Sequence, residues 1–410
     1  PLMTIGEHLS ELLKLHWQLE SDLSIKTKSQ EILEKVGIDY KRSDAYPHEF
    51  SGGMKQRVCI AMALALKPPL LIADEPTTSL DTCSSYTIMN QLLSLCNEYG
   101  STLILISHDI SLAKKWCNKL AIMDDGCVQE YGKISKIFHN PISRIGKILV
   151  KAASANLKRN SSYNHSQEII LEAHNLRHWY KLNSSIVKPK WNKALNEVSF
   201  NLFKNETLGI VGSSGCGKST LCRVLSGLIK SRGGFLSIKY HQNRSSRYKN
   251  ILNARNIQMI FQDPFSSLNP KMNIREILED ICLIHGIKRN NHSLNLIKNT
   301  LANLNLPNDE YFLNTYPQNL SGGQLQRISM ARALLIKPKI LVCDESVNML
   351  DAYVKIEILG LLREIQEKMS LSIIFITHDL GIAKKFCDRL LVMEKGMIVE
   401  SGSPLRIFQN

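Results

Sequence analysis

Residues 212 to 219 read Gly212-Ser213-Ser214-Gly215-Cys216-Gly217-Lys218-Ser219 and are followed by Thr220, which fits GxxxxGK[ST] between LGIV and the helical pattern TLCRVLSGLI. Strand, glycine loop and helix in that order turn successive backbone N–H groups toward a bound polyphosphate, at the positive end of the helix dipole. Lys218 is expected on the β and γ phosphates and Ser219 on a Mg2+ ion. The apolar run ILVCDE ends in Asp344 and Glu345. Asp344 is expected to hold Mg2+ through water, and Glu345 to polarise the attacking water. His378 follows the strand pattern SIIFIT and is placed to reach a γ-phosphate; Gln262, after MIF and before a turn at Asp263-Pro264, is a neutral amide that can sense Mg2+ and the water. Upstream of the loop, Tyr180 or Trp179 could stack on a purine, and a strand aromatic packed in the core is the competing reading.

A second kind of anion site is written twice. Ser321-Gly322-Gly323 in SGGQLQR and Ser51-Gly52-Gly53 in SGGMKQR each place a capping serine before a helix with free N–H groups behind it. One domain does not need two phosphate cradles unless the second serves the nucleotide of another domain.

The elements that must position these residues are themselves duplicated. Residues 45–75 lie over 315–345 at an offset of 270, and the match runs without a gap to IFHN over IFQN. Asp74, Glu75, Asp81 and His108 thereby match Asp344, Glu345, Asp351 and His378. The start, PLMTIGEHLSEL, resembles NPKMNIREILED, so the first copy is expected to lack the part equivalent to about 170–269, with the phosphate loop, and the second to lack a short C-terminal tail. The chain reads as a piece of a protein roughly a quarter longer. Residues 151–168, polar and weakly patterned, read as a linker; beyond them IILEAHNLRHWYK and KALNEVSFNLFKNETLGIV alternate as half-buried strands do, with a turn at KNE.

Composition bounds the rest. With 410 residues, 44% hydrophobic and 21% charged, the chain is globular and long enough for two or three domains. Ten cysteines stand singly, with no CxxC and no cysteine–histidine cluster, which argues against zinc and disulfide frameworks and for a reducing cytosol. The formal charge of +14 is compatible with nucleic acid, an anionic membrane surface or a lysine-rich proteome. VCIAMALALKPPLLIA is broken by Lys67, Pro68 and Pro69, so no bilayer span is expected, and no signal sequence is read at the start.

Taken in order, the phosphate loop, Gln262, the SGGQ run, the paired acids, Met349-Leu350-Asp351 and His378 resemble the ATP-binding domain of ABC transporters. FQDPFSSLNP, YPHEFSGGMKQR and LLIADEPTTSLD are similar to the dipeptide/oligopeptide importer ATPases, and the tandem copies to their fused microcin C or glutathione-type subunit. The resemblance implies an α/β fold: two tandem P-loop ATPase domains with a parallel-sheet core, an antiparallel β-subdomain and a helical subdomain. The first, residues 1–150, would lack its N-terminal part; 151–168 would be the linker and 169–410 the second domain. It implies head-to-tail pairing, in which ATP on Gly212–Ser219, with Asp344, Glu345 and His378, faces Ser51, Gly52, Gly53 and Asp81. Asp74, Glu75 and His108, against Ser321, Gly322, Gly323 and Asp351, would be the remnant of a second site. ATP and Mg2+ are the implied cofactors. The implied partners are two transmembrane permease subunits and a substrate-binding protein, with the chain peripheral on the cytoplasmic side of the inner membrane, the helical stretches before Ser51 and between Gln262 and Ser321 docking on the permease, and no nucleic acid expected. Ser346 replaces the usual proline and Met349 a small residue, from which a looser loop after Glu345 is expected. NPISRIGK replaces an HPYT-like tail. A soluble twin-ATPase acting on nucleic acid or ribosomes, and an inactive remnant, are the alternatives left open.

Overall fold

The computed structural model describes all residues except 1, 18–21, 78–81, 155–156, 158–167, 183–189, 239–254, 348–349 and 410. The chain divides into two compact units, Pro1–Ala153 and Ser154–Asn410.

In the first unit, helices Ile5–Trp17, Asp22–Lys35, Gly52–Ala65 and Thr82–Tyr99 enclose a core that includes Leu9, Leu13, Leu33, Ile88, Met89 and Leu92. Strands β1 (Leu70–Asp74) and β2 (Thr102–Ile106) pair in parallel, and β3 (Lys119–Asp124) and β4 (Cys127–Lys133) form an antiparallel hairpin.

The second unit opens with an antiparallel layer, β6-β5-β8, built from β5 (Ile169–Leu182), β6 (Lys190–Phe203) and, after β7 (Thr207–Gly212), β8 (Gly233–Ile238). Alternation along β5 and β6 turns Leu171, Ala173, Leu195, Val198, Phe200 and Leu202 into one buried face. The main sheet has the order β13-β12-β7-β11-β10-β9, with β9 (Ile257–Ile260), β10 (Ile340–Asp344), β11 (Ser372–Ile376) and β12 (Arg389–Glu394) parallel to β7 and the edge strand β13 (Met397–Gly402) antiparallel. Every residue of β10 and β11 is buried, as strands covered on both sides require. Leu341, Cys343, Ile373 and Phe375 face a core shared with the helical part, and Ile340, Val342, Ile374 and Ile376 face one shared with the antiparallel layer and the helix Lys218–Leu225. The helical part comprises Ile274–Ile284, Asn291–Asn303, Glu310–Leu313 and Gly322–Leu334.

Two local expectations are corrected. Asp263-Pro264 begins a one-turn helix, Pro264–Ser267, rather than a simple turn: proline's fixed φ suits the first helical position, and Asp263 accepts from Phe265 N at 2.9 Å. The stretch read as a linker from 151 is structured where it is described. Residues 151–154 end the helix Arg144–Ser154, and Leu157 is buried in the second unit's core, its carbonyl accepting from Arg363 Nε at 3.3 Å. An apolar side chain in a polar stretch was the available signal.

Candidate functional site

β7 delivers the chain to Gly212, and the loop closes onto the helix Lys218–Leu225. Gly217 has φ +110°, and a Cβ there would lie 2.2 Å from the carbonyl oxygen of Ala194 on β6, so both conformation and space demand glycine. Lys218, 6% exposed, donates from Nζ to the carbonyls of Gly212 (2.8 Å) and Ser213 (2.9 Å), which curls the loop around its ammonium. Gly217→Ala is expected to open the loop, lowering stability by about 2 kcal/mol or more, the usual scale for a strained or overpacked site. Thermal melting together with fluorescent-nucleotide titration checks this; an unchanged midpoint with unchanged affinity contradicts it.

Asp344 ends β10 and is 7% exposed. Its carboxyl is pushed up to about 6, first by burial and then by the neighbouring Glu345 charge; a hydrogen bond from Ser219 and the charges of Arg223 and Lys218 oppose the rise. Its Oδ1 is buried without a hydrogen-bond partner. A buried carboxylate oxygen lacking a donor, next to the Ser219 hydroxyl, is an all-oxygen donor set of the kind a hard divalent cation takes, so these residues fit Mg2+.

Glu345 stands one residue beyond, at φ 47°, its N–H donating to Ile376 O at 3.0 Å. Gln262 Nε2 donates to Glu345 Oε2 at 3.1 Å, and His378 Nδ1 lies 3.3 Å from Oε1. Three residues from three strand ends thus meet at one carboxylate. In the first unit Glu75 has the same path, with φ 45°, its N–H donating to Ile106 O at 3.0 Å and its carboxylate 2.8 Å from His108 Nδ1. Ser346 for Pro76 therefore leaves the path into the acid unchanged, and Ser346 itself is buried and hydrogen-bonded to the Cys343 thiol. Met349 and Asp81 lie outside the described residues.

Ser321 caps the helix Gly322–Leu334 reciprocally: its Oγ accepts from Gln324 N at 3.3 Å while Gln324 Oε1 accepts from Ser321 N at 3.0 Å. A cavity of about 570 Å3 opens there, lined among others by Gly322, Gly323, Arg327 and Asp351. Ser51 keeps only one arm, accepting from Met54 N at 3.4 Å, because methionine stands where the second copy has Gln324. Gly52 and Gly53 begin the helix behind it.

Of the two strand aromatics, Tyr180 is the more open, 38% exposed and edge-to-face with His178 at 4.9 Å; Trp179 is half-buried, its Nε1 enclosed without a hydrogen-bond partner. Tyr180 pairs with Asn192, two residues before the Ala194 that abuts Gly217. Arg332 carries no motif and is silent in the sequence. It donates to Ser267 O and lies over the Phe261 ring at 5.9 Å, pinning the segment that carries Gln262. The first copy has Met62 at its place, a difference the repeat exposes.

The chain matches the family model described as ABC transporter over residues 1–78 and 195–348. It is 35% identical over 421 residues to the peptidoglycan transport ATP-binding protein YejF of Agrobacterium fabrum, covering 100% of this chain and 75% of that one. To the glutathione import ATP-binding protein GsiA of Pectobacterium atrosepticum it is 32% identical over 441 residues, covering 100% and 70%. Among solved structures, cbiO1 of Clostridium perfringens, part of the ABC transporter complex cbiONQ, superposes with TM-score 0.50 at 26% identity over 60% of this chain and 92% of that one. A dimeric ATP-binding cassette in a post-hydrolysis state bound to ADP and Pi gives TM-score 0.50 at 26% identity, covering 57% and 99%.

Proposed function

The chain belongs to the ABC transporter family of ATP-hydrolysing transport cassettes, and from that premise we propose that it energises import of peptides through permease subunits on other polypeptides. The observation that carries the reading is Glu345 held by Gln262 and His378 beside the phosphate loop. Among the described residues no helix is long and apolar enough to cross a membrane, so the path for the substrate is assigned to partners: two transmembrane subunits, with a substrate-binding protein delivering to them. The chain would then be peripheral, on the cytoplasmic face. The relatives' names support the substrate class, glutathione being itself a small peptide.

In this reading the loop N–H groups and Lys218 bind the phosphates of ATP, and Tyr180 stacks on its base. Glu345 orients and polarises the attacking water, with Gln262 and His378 fixing its carboxylate. Ser219, Asp344 and Gln262 would hold Mg2+, which when bound neutralises charge on the phosphates. Because the Lys218 ammonium is curled inside the loop, Lys218→Ala is expected to weaken nucleotide binding at least about tenfold, from the loss of a charge-assisted contact worth about 1.5–3 kcal/mol. Titration with a fluorescent ATP analogue measures it. The transport reading is tested by reconstituting the chain with the permease subunits encoded beside it in liposomes. ATP-dependent peptide uptake is expected, and ATP turnover indifferent to both permease and peptide would overturn it.

A further inference from the structure

Gln262 is an exposed side chain, so packing does not fix its rotamer, and its place beside Glu345 depends on the backbone that carries it. That backbone is held lightly. The pairing of β9 with β10 ends at Ile260 and Cys343, and beyond it the stretch bonds largely to itself: Asp263 Oδ1 accepts from Phe265 N at 2.9 Å, and the Ser266 and Ser267 hydroxyls donate to the carbonyls of Asp263 and Pro264. Pro264 and Leu268 are buried, whereas Phe261 and Ser267 are half-buried.

Arg332 ties this stretch to the rest of the unit. It stands in the last turn of the helix Gly322–Leu334, which packs against β9 and against the one-turn helix Pro264–Ser267. Its Nη1 donates to the Ser267 carbonyl, and its guanidinium lies 5.9 Å from the centre of the Phe261 ring. One planar group thus touches the residue before Gln262 and the last residue of the helical turn after it. Among the described residues the guanidinium makes no ion pair, and burial pushes it below its ordinary value. A half-buried cation without a carboxylate costs stability, so a helix that had only to pack would not call for one. At the matching turn the first unit's helix Gly52–Ala65 has Met62, packed against that unit's core. The helix pattern forms without the arginine.

We propose that Arg332 is a positioning residue for ATP hydrolysis: by holding Phe261 and Ser267 it fixes the backbone on both sides of Gln262, and through Gln262 the carboxylate of Glu345. Gln262 Nε2 meets Glu345 Oε2 at 3.1 Å, so a modest displacement of the segment breaks the contact. At a reacting centre a displacement of about 1 Å lowers the rate by about a hundredfold. A cation in a last helical turn also suits the helix dipole, a local effect that does not pass through Gln262. The inference rests on the assignment of Glu345 to the attacking water.

The test follows ATP turnover and amide hydrogen exchange in the full chain and in Arg332→Met, Gln262→Ala and the double variant. Arg332→Met is expected to lower kcat at least about tenfold with KM for ATP changed less than about threefold, and to lower kcat no further once Gln262 is alanine. Exchange in 261–268 should quicken at least about tenfold while β10 and β11 keep their protection. Arg332→Lys, which keeps the charge but not the planar fork, should fall between arginine and methionine. It carries the same comparisons if methionine lowers the melting midpoint. A kcat within about twofold of wild type, a methionine penalty undiminished by Gln262→Ala, or exchange that quickens equally in β10 and β11 would each overturn the proposal. A wild-type chain without ATP turnover would overturn the assignment of Glu345 and the positioning role with it, whereas wild-type turnover indifferent to Arg332→Met would overturn the positioning role alone.

Discussion

Glu345→Gln is expected to reduce ATP turnover by about a hundred- to ten-thousandfold, the range in which a positioned proton acceptor contributes, while nucleotide affinity changes less than about threefold. The amide keeps the size of the carboxylate and can still meet Gln262 and His378, which approach it at 3.1 and 3.3 Å, but it cannot accept the proton of an attacking water. In the proposed reading the phosphates are held elsewhere, by the loop around which Lys218 is curled. Single-turnover phosphate release and nucleotide titration on the same preparation separate the two effects. A variant that keeps more than a tenth of wild-type turnover removes Glu345 from the acceptor's role, and equal loss of binding and turnover makes it a structural residue instead.

The parts of this arrangement that are legible in the amino-acid sequence are those written in local order. The phosphate loop needs only a strand, glycines and a helix in succession, and Gly217 shows why the residue type is compulsory: any side chain there would run into Ala194. Asp344 and Glu345 follow the four-residue apolar run Ile340–Cys343, and His378 follows Ile373–Ile376 with Thr377 between; such runs become buried parallel strands whose ends share one edge of a sheet. Repetition does the rest, since His378 alone is weak and His378 with His108 is not. Long-range facts are not legible in that way. That Gln262 reaches Glu345 depends on β9 lying beside β10, an order of strands that periodicity does not specify. The orphaned Oδ1 of Asp344 depends on Ser219 arriving from a different element. The openness of Ile72 and Ile104 is not encoded in their own segments, because the same apolar runs are wholly buried when repeated at Val342 and Ile374.

Asp344→Asn is expected to make the nucleotide-free second unit more stable at pH 7.5 while abolishing its response to Mg2+. The buried carboxyl titrates near 6 against an ordinary 3.8. On unfolding it returns to the ordinary value, so between pH 3.8 and about 6 the unfolded chain gives up its proton first and the folded state loses stability as pH rises. Above that window the ionised, buried side chain carries the whole cost, on the order of 2–3 kcal/mol for a displacement of this size. Asparagine removes the charge and keeps the shape. The melting midpoint of the second unit should therefore rise by several degrees at pH 7.5, and the difference between variant and wild type should shrink to a small part of that at pH 4, where the folded carboxyl is protonated and only the unfolded chain has begun to ionise. Mg2+ added to the nucleotide-bound protein should raise the wild-type midpoint further and leave the variant's where it was, since the ion would take the buried Asp344 oxygen that lacks a donor and the amide offers it no charge. Differential scanning across pH 4–8, with and without the ion, measures all three. A midpoint that falls on Asp344→Asn at pH 7.5 would mean that the carboxylate is held by attractive partners rather than strained by burial, and the metal assignment would lose its electrostatic ground.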